Sequence, residues 1–513
     1  MSTISPTAST SQEPAGDNST TTINRASESN STPNEKQGVK LADQERISES
    51  EGTFQRPSRR GTRETTASGS TPFTPEPLKK RLTDLFVSER RIKREPSVRE
   101  SAVAIVKASW LNVLLVFVPI GWGLHWGGVN DTIVFVTTFL AIIPLAKLLG
   151  FGTEEIALRV GQTLGGLLNA TLGNAVELIV AIIALVKCEI RVVQSSLLGS
   201  ILSNLLLVLG MCFFAGGIKF SEQGFKDTAA QLNSSLLVIS VIAVLIPAGY
   251  SAAFSSTQGN AEEKAAILSM SRGISIILLL IYGAYLVFQL FTHQHLYAEG
   301  RSEETDVTRE GRLVYGLGDR RVMRPAKSVR KPRALEEDFD DEEEEEEIPT
   351  LSLWAALVLL TVVTVLVAIT AEFLVSSING LTDAHPEISV EWVGLILLPI
   401  VGNAAEHVTA VSVSVHDKLD LSMGVAVGSS IQIALFVIPF MVTLAWILNK
   451  PLSLLFDPFE SIVLFLSVLI TNYTIQDGRS NWLEGFLLMM VYVIIAVAFW
   501  WYPSATENSI FVC

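Results

Sequence analysis

Gly173-Asn174-Ala175-Val176-Glu177 and Gly402-Asn403-Ala404-Ala405-Glu406 are two copies of one pattern, 229 residues apart. Each sets a carboxylate inside an apolar run, 162–187 or 391–416, that is long enough to cross a bilayer. An ionisable group at that depth costs at least ~2.5–3.5 kcal/mol, so it marks a functional site by default. The same offset of 229 carries Gly199-Ser200 onto Gly428-Ser429, which leaves Glu177 and Glu406 each 23 residues before its serine. An internally duplicated membrane protein follows, with each half supplying half of one site.

Working outward, apolar runs lie at about 109–127, 131–150, 162–187, 193–217, 232–253 and 270–293, then at 351–378, 391–416, 421–448, 457–475 and 484–502. These eleven candidate spans predict an all-α polytopic membrane protein: one extra N-terminal helix within 106–130, a five-helix repeat at 131–293 and another at 351–503. Five is odd, so the second set enters the membrane in the opposite sense and the repeats are inverted. The mean hydropathy of +0.40 agrees, but the runs carry the argument.

The flanks are of another kind. Residues 1–105 are rich in Ser, Thr, Glu, Arg and Pro, and read as a disordered cytosolic tail. No apolar stretch follows the initiating Met, so the first membrane helix is expected to act as an internal signal-anchor. Nine Lys/Arg between Lys79 and Lys107, and ten between Arg301 and Arg333, place the N-terminus and the 294–350 loop in the cytosol. The tail 504–513 then falls on the opposite side, which is the lumen if the membrane is that of an organelle. Cys188, Cys212 and Cys513 show no CxxC or metal spacing; they read as free thiols with no disulfide framework.

On a helix, Gly173 and Asn174 share a face with Glu177 one turn away, and Gly402 and Asn403 stand likewise to Glu406. The glycines weaken the helix and let backbone or ion approach, which predicts kinks close to Gly173 and Gly402. Small residues for close helix packing explain Gly and Ala, but not a carboxylate in each copy. Two carboxylates with carbonyl, hydroxyl and amide oxygens suit a hard divalent cation and balance the charge of Ca²⁺. Glu177 and Glu406 are the candidate metal ligands. Ser200, Ser203, Asn204, Ser429 and Gln432 are candidate supporting groups.

Glu372, in the 351–378 run, admits two readings: it assists proton or cation access, or it is a solvated helix end near the interface. His407, about 100° round the helix from Glu406, is either a packed neutral histidine or a proton carrier. An acidic run interrupted only by Phe339 precedes the second repeat: Glu336, Glu337, Asp338, Asp340, Asp341, Glu342, Glu343, Glu344, Glu345, Glu346 and Glu347. It holds eleven negative charges against a net charge of −14 for the chain, and its place beside a membrane helix suggests regulation or cation funnelling.

The paired GNA-[VA]-E motifs, Gly199-Ser200-Ile201-Leu202-Ser203-Asn204, Gly428-Ser429-Ser430-Ile431-Gln432 and the acidic segment together resemble the calcium/proton exchanger family of the calcium/cation antiporter superfamily, closest to its fungal vacuolar members. The resemblance covers about residues 100–503. It implies H⁺-driven loading of Ca²⁺ into an acidic organelle, a multi-pass vacuolar membrane protein, Ca²⁺ and H⁺ as substrates, and neither an enzyme, a cofactor nor a nucleic-acid partner. Sodium/calcium or Mn²⁺/proton exchange stays open, although the G-[ST]-S-x-P-E pattern of sodium exchangers is absent here. A cation channel is a further alternative, but a channel does not need coupled acids in matching frames.

Overall fold

A computed structural model of the chain describes residues 95–160, 162–254, 260–293, 296–297 and 349–502. The acidic run Glu336–Glu347, the tail up to residue 94 and the tail 504–513 lie outside them. All described residues belong to one unit, Pro75–Cys513.

Almost everything described is helix. Helix α1 (Val98–Lys107) starts at a reciprocal cap: the Ser97 hydroxyl accepts the Glu100 N–H, and the Glu100 carboxylate accepts the Ser97 N–H. The expected tail to 105 is thereby shortened, because this cap and the apolar residues that follow support a helix from Val98. After α1 the chain turns by 88° into a tight helical segment, Trp110–Val116, and α2 (Phe117–Trp126). The expected single helix at 106–130 is thus the second arm of a bent pair.

Among the described residues, seven helices are long and apolar enough to span a membrane: α3 (Asp131–Val160), α6 (Ile190–Lys219), α7 (Asp227–Phe254), α8 (Ala261–Thr292), α9 (Leu353–Ala384), α12 (Leu419–Ile447) and α14 (Trp482–Trp500). Between them come α4 (Gln162–Leu172), α5 (Ala175–Val186), α10 (Val390–Gly402), α11 (Ala404–Val415) and α13 (Pro458–Thr474). Two-residue strands, β1 (Gln223–Gly224) and β2 (Arg479–Ser480), pair antiparallel and join the α6–α7 and α13–α14 turns.

Burial sorts the helices. The most hydrophobic stretches of α6 and α12 are 83% and 72% buried, against 22–39% for α7, α8, α9 and α14. The first two form the centre, while the others turn residues such as Ile277, Leu280, Val358 and Val362 outward, as lipid contact requires. Close approach at the centre needs small residues. A Cβ on Gly199 of α6 would sit 2.2 Å from the Leu395 carbonyl oxygen of α10, so only glycine fits. Both central helices widen to a π-helical segment, Ser203–Val208 and Ile433–Val437, at places the offset of 229 brings into register. Such segments often mark functional positions.

The start of α9 is tied to two other helices. Glu155 of α3 accepts the Thr350 and Leu351 N–H groups at 2.9 and 3.0 Å, Arg159 donates to the Leu351 carbonyl, and Ser101 of α1 accepts from Ser352. Cys212 is a buried free thiol, whereas Cys188 is disulfide-bonded, which corrects the expectation of free thiols throughout.

Candidate ion site

Both motif helices break where their glycines predict. In the first copy α4 ends at Leu172 and α5 begins at Ala175, with Asn174 off helical geometry (φ −95°, ψ 27°). In the second, Asn403 (φ −87°, ψ 1°) separates α10 from α11, and the two are bent by 56°. Each break puts its glutamate third in a new half-helix. There the free backbone N–H groups and the positive end of the helix dipole favour a carboxylate, offsetting part of its desolvation.

The two breaks meet. Gly402 lies so close to Glu177 that a Cβ on it would stand 2.6 Å from Glu177 Oε1. Asn174 Nδ2 donates to Gln432 Oε1 at 2.7 Å, and Asn174 Oδ1 accepts from the Ser429 hydroxyl at 2.8 Å. Ser429 Oγ in turn accepts from Asn204 Nδ2 at 3.1 Å. Glu406 lies against Ser429 and within electrostatic reach of Glu177. Ser203 Oγ is 3.3 Å from His407 Nε2. Ser200 lines a mostly apolar cavity beside Glu177, with Ser196, Val180, Val401 and Gly402. Residues of both halves therefore build one constellation from α4–α5, α6, α10–α11 and α12.

Its polar atoms are not all used by the protein. Both side-chain polar atoms of Asn403, Glu406 Oε2 and Asn204 Oδ1 are buried without a hydrogen-bond partner. Orphaned acceptors of this kind are costly in an apolar interior, and a cation relieves them. Among the described residues no group of three or more His, Cys, Asp or Glu side chains is placed to hold a metal. The polar groups that meet are two carboxylates and neutral oxygens, a set whose chemistry suits hard cations over soft ones.

Glu372 is not brought to this constellation. It is 57% exposed, 3.5 Å from Lys187, and its neighbour Ser376 accepts from the same ammonium. Two groups escaped the reading of the sequence. Lys147 lies in the middle of α3 and donates to Thr409 of α11 at 3.2 Å. A lone cation inside the 131–150 run was the available signal. The other group is a buried acidic cluster, in which Ser195 donates to Glu460 at 2.6 Å and Arg191 pairs with Glu391. No motif spacing announces that cluster, because its members meet only in three dimensions.

Broken membrane helices that bring buried carboxylates and amides together define the class of ion-carrying integral membrane proteins. The chain belongs to the sodium/calcium exchanger protein family, whose profile matches residues 130–291 and 355–501. This is a family of transporters and not of enzymes. Over 511 residues it is 52% identical to the vacuolar calcium ion transporter of Cryptococcus neoformans var. grubii, covering 89% of this chain and 84% of that one. It is 42% identical over 392 residues to the Ca(2+)/H(+) antiporter of Synechocystis sp., covering 76% and 97%. The solved structure of native YfkE, 32% identical, matches with a TM-score of 0.58 over 76% of this chain and 99% of that one.

Proposed function

We propose that the protein is a Ca²⁺/H⁺ antiporter of the vacuolar membrane, which uses a proton gradient to move cytosolic Ca²⁺ into an acidic lumen. The names of its relatives support the substrates and the organelle. The observation that carries the mechanism is the meeting of motifs 229 residues apart: Glu177 against Gly402, and Asn174 bonded to Gln432 and Ser429.

The described residues hold seven to nine candidate spans, and counting the two shorter apolar helices as crossings as well brings our reading to eleven. After the bent N-terminal pair they divide into two inverted five-helix repeats, α3–α8 and α9–α14, in which α4–α5 and α10–α11 each count as one crossing. The N-terminus and the loop before α9 face the cytosol, and the C-terminus faces the lumen. To the acidic run that precedes the second repeat in the sequence we assign the attraction of cytosolic Ca²⁺.

Transport follows from competition at the two glutamates. Deprotonated, Glu177 and Glu406 hold Ca²⁺ with help from Asn174, Asn403, Ser200, Ser429 and Gln432. Protonated, they lose the charge that binds the ion and become cheap to keep uncharged in the membrane. An acidic lumen therefore favours protons and releases the ion, while a neutral cytosol favours Ca²⁺. The two carboxylates interact, so their protonation is a property of the pair. Alternating access then carries either Ca²⁺ or protons, and exchange results.

In proteoliposomes, Glu177→Gln and Glu406→Gln are each expected to abolish uptake of ⁴⁵Ca²⁺ driven by a pH gradient while leaving expression and insertion intact. Removing Na⁺ and K⁺ should change nothing. Sustained uptake by either variant would defeat the mechanism, and a strict Na⁺ requirement in the parent would make it a sodium exchanger.

A further inference from the structure

Helix α1 (Val98–Lys107) meets the apolar stretch that follows it, Trp110–Trp126, at 88°. A right-angled turn away from a segment that crosses the bilayer leaves α1 close to the membrane plane. The corner is held by side chains. Asn112 Nδ2 donates to the Ile105 and Val106 carbonyls at 2.9 and 3.2 Å, which satisfies acceptors that the end of α1 leaves open. The Ser109 hydroxyl accepts the Leu111 N–H at 3.2 Å and starts the next turn. One side of α1 faces the protein: Ser101 is buried and accepts the Ser352 N–H at the head of α9, and Ala104 and Ile105 pack on the core. The other side is exposed and largely apolar. Val98, Ala102 and Val106 follow at four-residue steps and form one stripe, with Val98 79% and Val106 72% exposed. Arg99, seven residues before Val106, edges that stripe, and Lys107 lies further round; both are exposed.

We propose that α1 is an in-plane helix that docks on an anionic lipid surface: its valine stripe enters the boundary between headgroups and acyl chains, while Arg99 and Lys107 meet the negative headgroups. Continuity argues for lipid as the occupant. Trp110 at the corner and Val113 just beyond it are both 78% exposed, and they open a segment whose outer face in a membrane is covered by lipid. An exposed apolar stripe that runs into such a surface is covered by the same material. A tryptophan at the corner suits the headgroup level. An amphipathic helix of this kind sinks its apolar face ~5–10 Å into the boundary region. Charge selects the lipid. From Lys79 to Lys107 the sequence carries nine Lys/Arg against four Asp/Glu, an excess that favours anionic over neutral headgroups and weakens as salt screens it. Arginine and lysine beside a buried stripe keep their stems on apolar surface and their charges in water. The bond from Ser352 to Ser101 ties this surface helix to the head of α9.

Spin labels measure the depth of the stripe in the full-length protein. They are placed one at a time through Val98→Cys, Val106→Cys and Lys107→Cys, with the parent treated alike as background. The vesicles are phosphatidylcholine with or without phosphatidylserine. Oxygen concentrates in hydrocarbon and a nickel chelate in water, so the ratio of their collisions with the label reports depth. In phosphatidylserine vesicles this ratio should be several-fold higher at positions 98 and 106 than at 107. Omitting phosphatidylserine, raising the salt, or adding Arg99→Gln should move position 106 towards the value at 107. Both valines lie on the exposed side, so if one variant folds poorly the other carries the measurement. Water-like ratios at both valines in phosphatidylserine vesicles overturn the inference. So do labels shut off from both reagents in detergent and vesicles alike, since protein then covers the stripe, whether a second copy or another part of this chain. Equal depth with and without phosphatidylserine overturns the choice of an anionic surface.

Discussion

Gly402→Ala is the smallest change that reaches across the two halves. The added Cβ would lie 2.6 Å from Glu177 Oε1, where ordinary contact begins at 3.4 Å, so about 0.8 Å must be found. The backbone at Gly402 is helical and accepts alanine without strain. The clashing atom is the far end of a side chain, which moves more cheaply than backbone. The fold should therefore survive, and the displacement should fall on the carboxylate. A shift approaching 1 Å at a site that works by geometry costs up to ~10²-fold. We expect Gly402→Ala to raise the KM for Ca²⁺ by between ~10- and ~100-fold in pH-gradient-driven uptake, with kcat changed less and thermal stability in detergent close to the parent's. Gly424→Ala is the control, since a Cβ there meets nothing within 4 Å. Parent-like KM in Gly402→Ala would refute the placement of Glu177 against the second motif. Loss of the folded protein would instead show that the strain is taken up by backbone.

Two further outcomes follow from the same geometry. Asn174→Ala leaves Gln432 Oε1 and the Ser429 hydroxyl without their partner, and each membrane hydrogen bond is worth ~0.6 kcal/mol. A modest loss of thermal stability and a clear rise in KM for Ca²⁺ should accompany it, and parent-like uptake would count against the network. Glu372→Gln breaks only an exposed ion pair with Lys187, worth ~0–1 kcal/mol, and should leave uptake within about twofold of the parent. A collapse of exchange in that variant would restore Glu372 to the ion pathway.

The sequence by itself determined a good deal. Runs of some twenty apolar residues can only be membrane helices, because hydrocarbon satisfies no backbone polar group. A carboxylate in such a run marks a functional site by default, and finding it twice at one offset pointed to both halves of the candidate site. The helix breaks were legible as well: Gly and Asn next to each glutamate offer the chain a cheap place to leave helical geometry.

The tertiary structure decided what spacing along the chain cannot hold. That Glu177 lies against Gly402, and that Asn174 bonds to Gln432, depends on how two half-helices cross. Glu372 looked like an intramembrane acid, yet packing left it on an exposed face beside Lys187. Lys147 went unread because a lone cation has no motif, and its partner Thr409 is 262 residues away. The start of the first ordered helix depended on a cap between Ser97 and Glu100 that composition averages away. Hydrophobic periodicity reports which residues leave water, because that free energy is local and additive. Partner choice among buried polar groups is neither: it is fixed by which groups the packed helices bring within ~3 Å of one another.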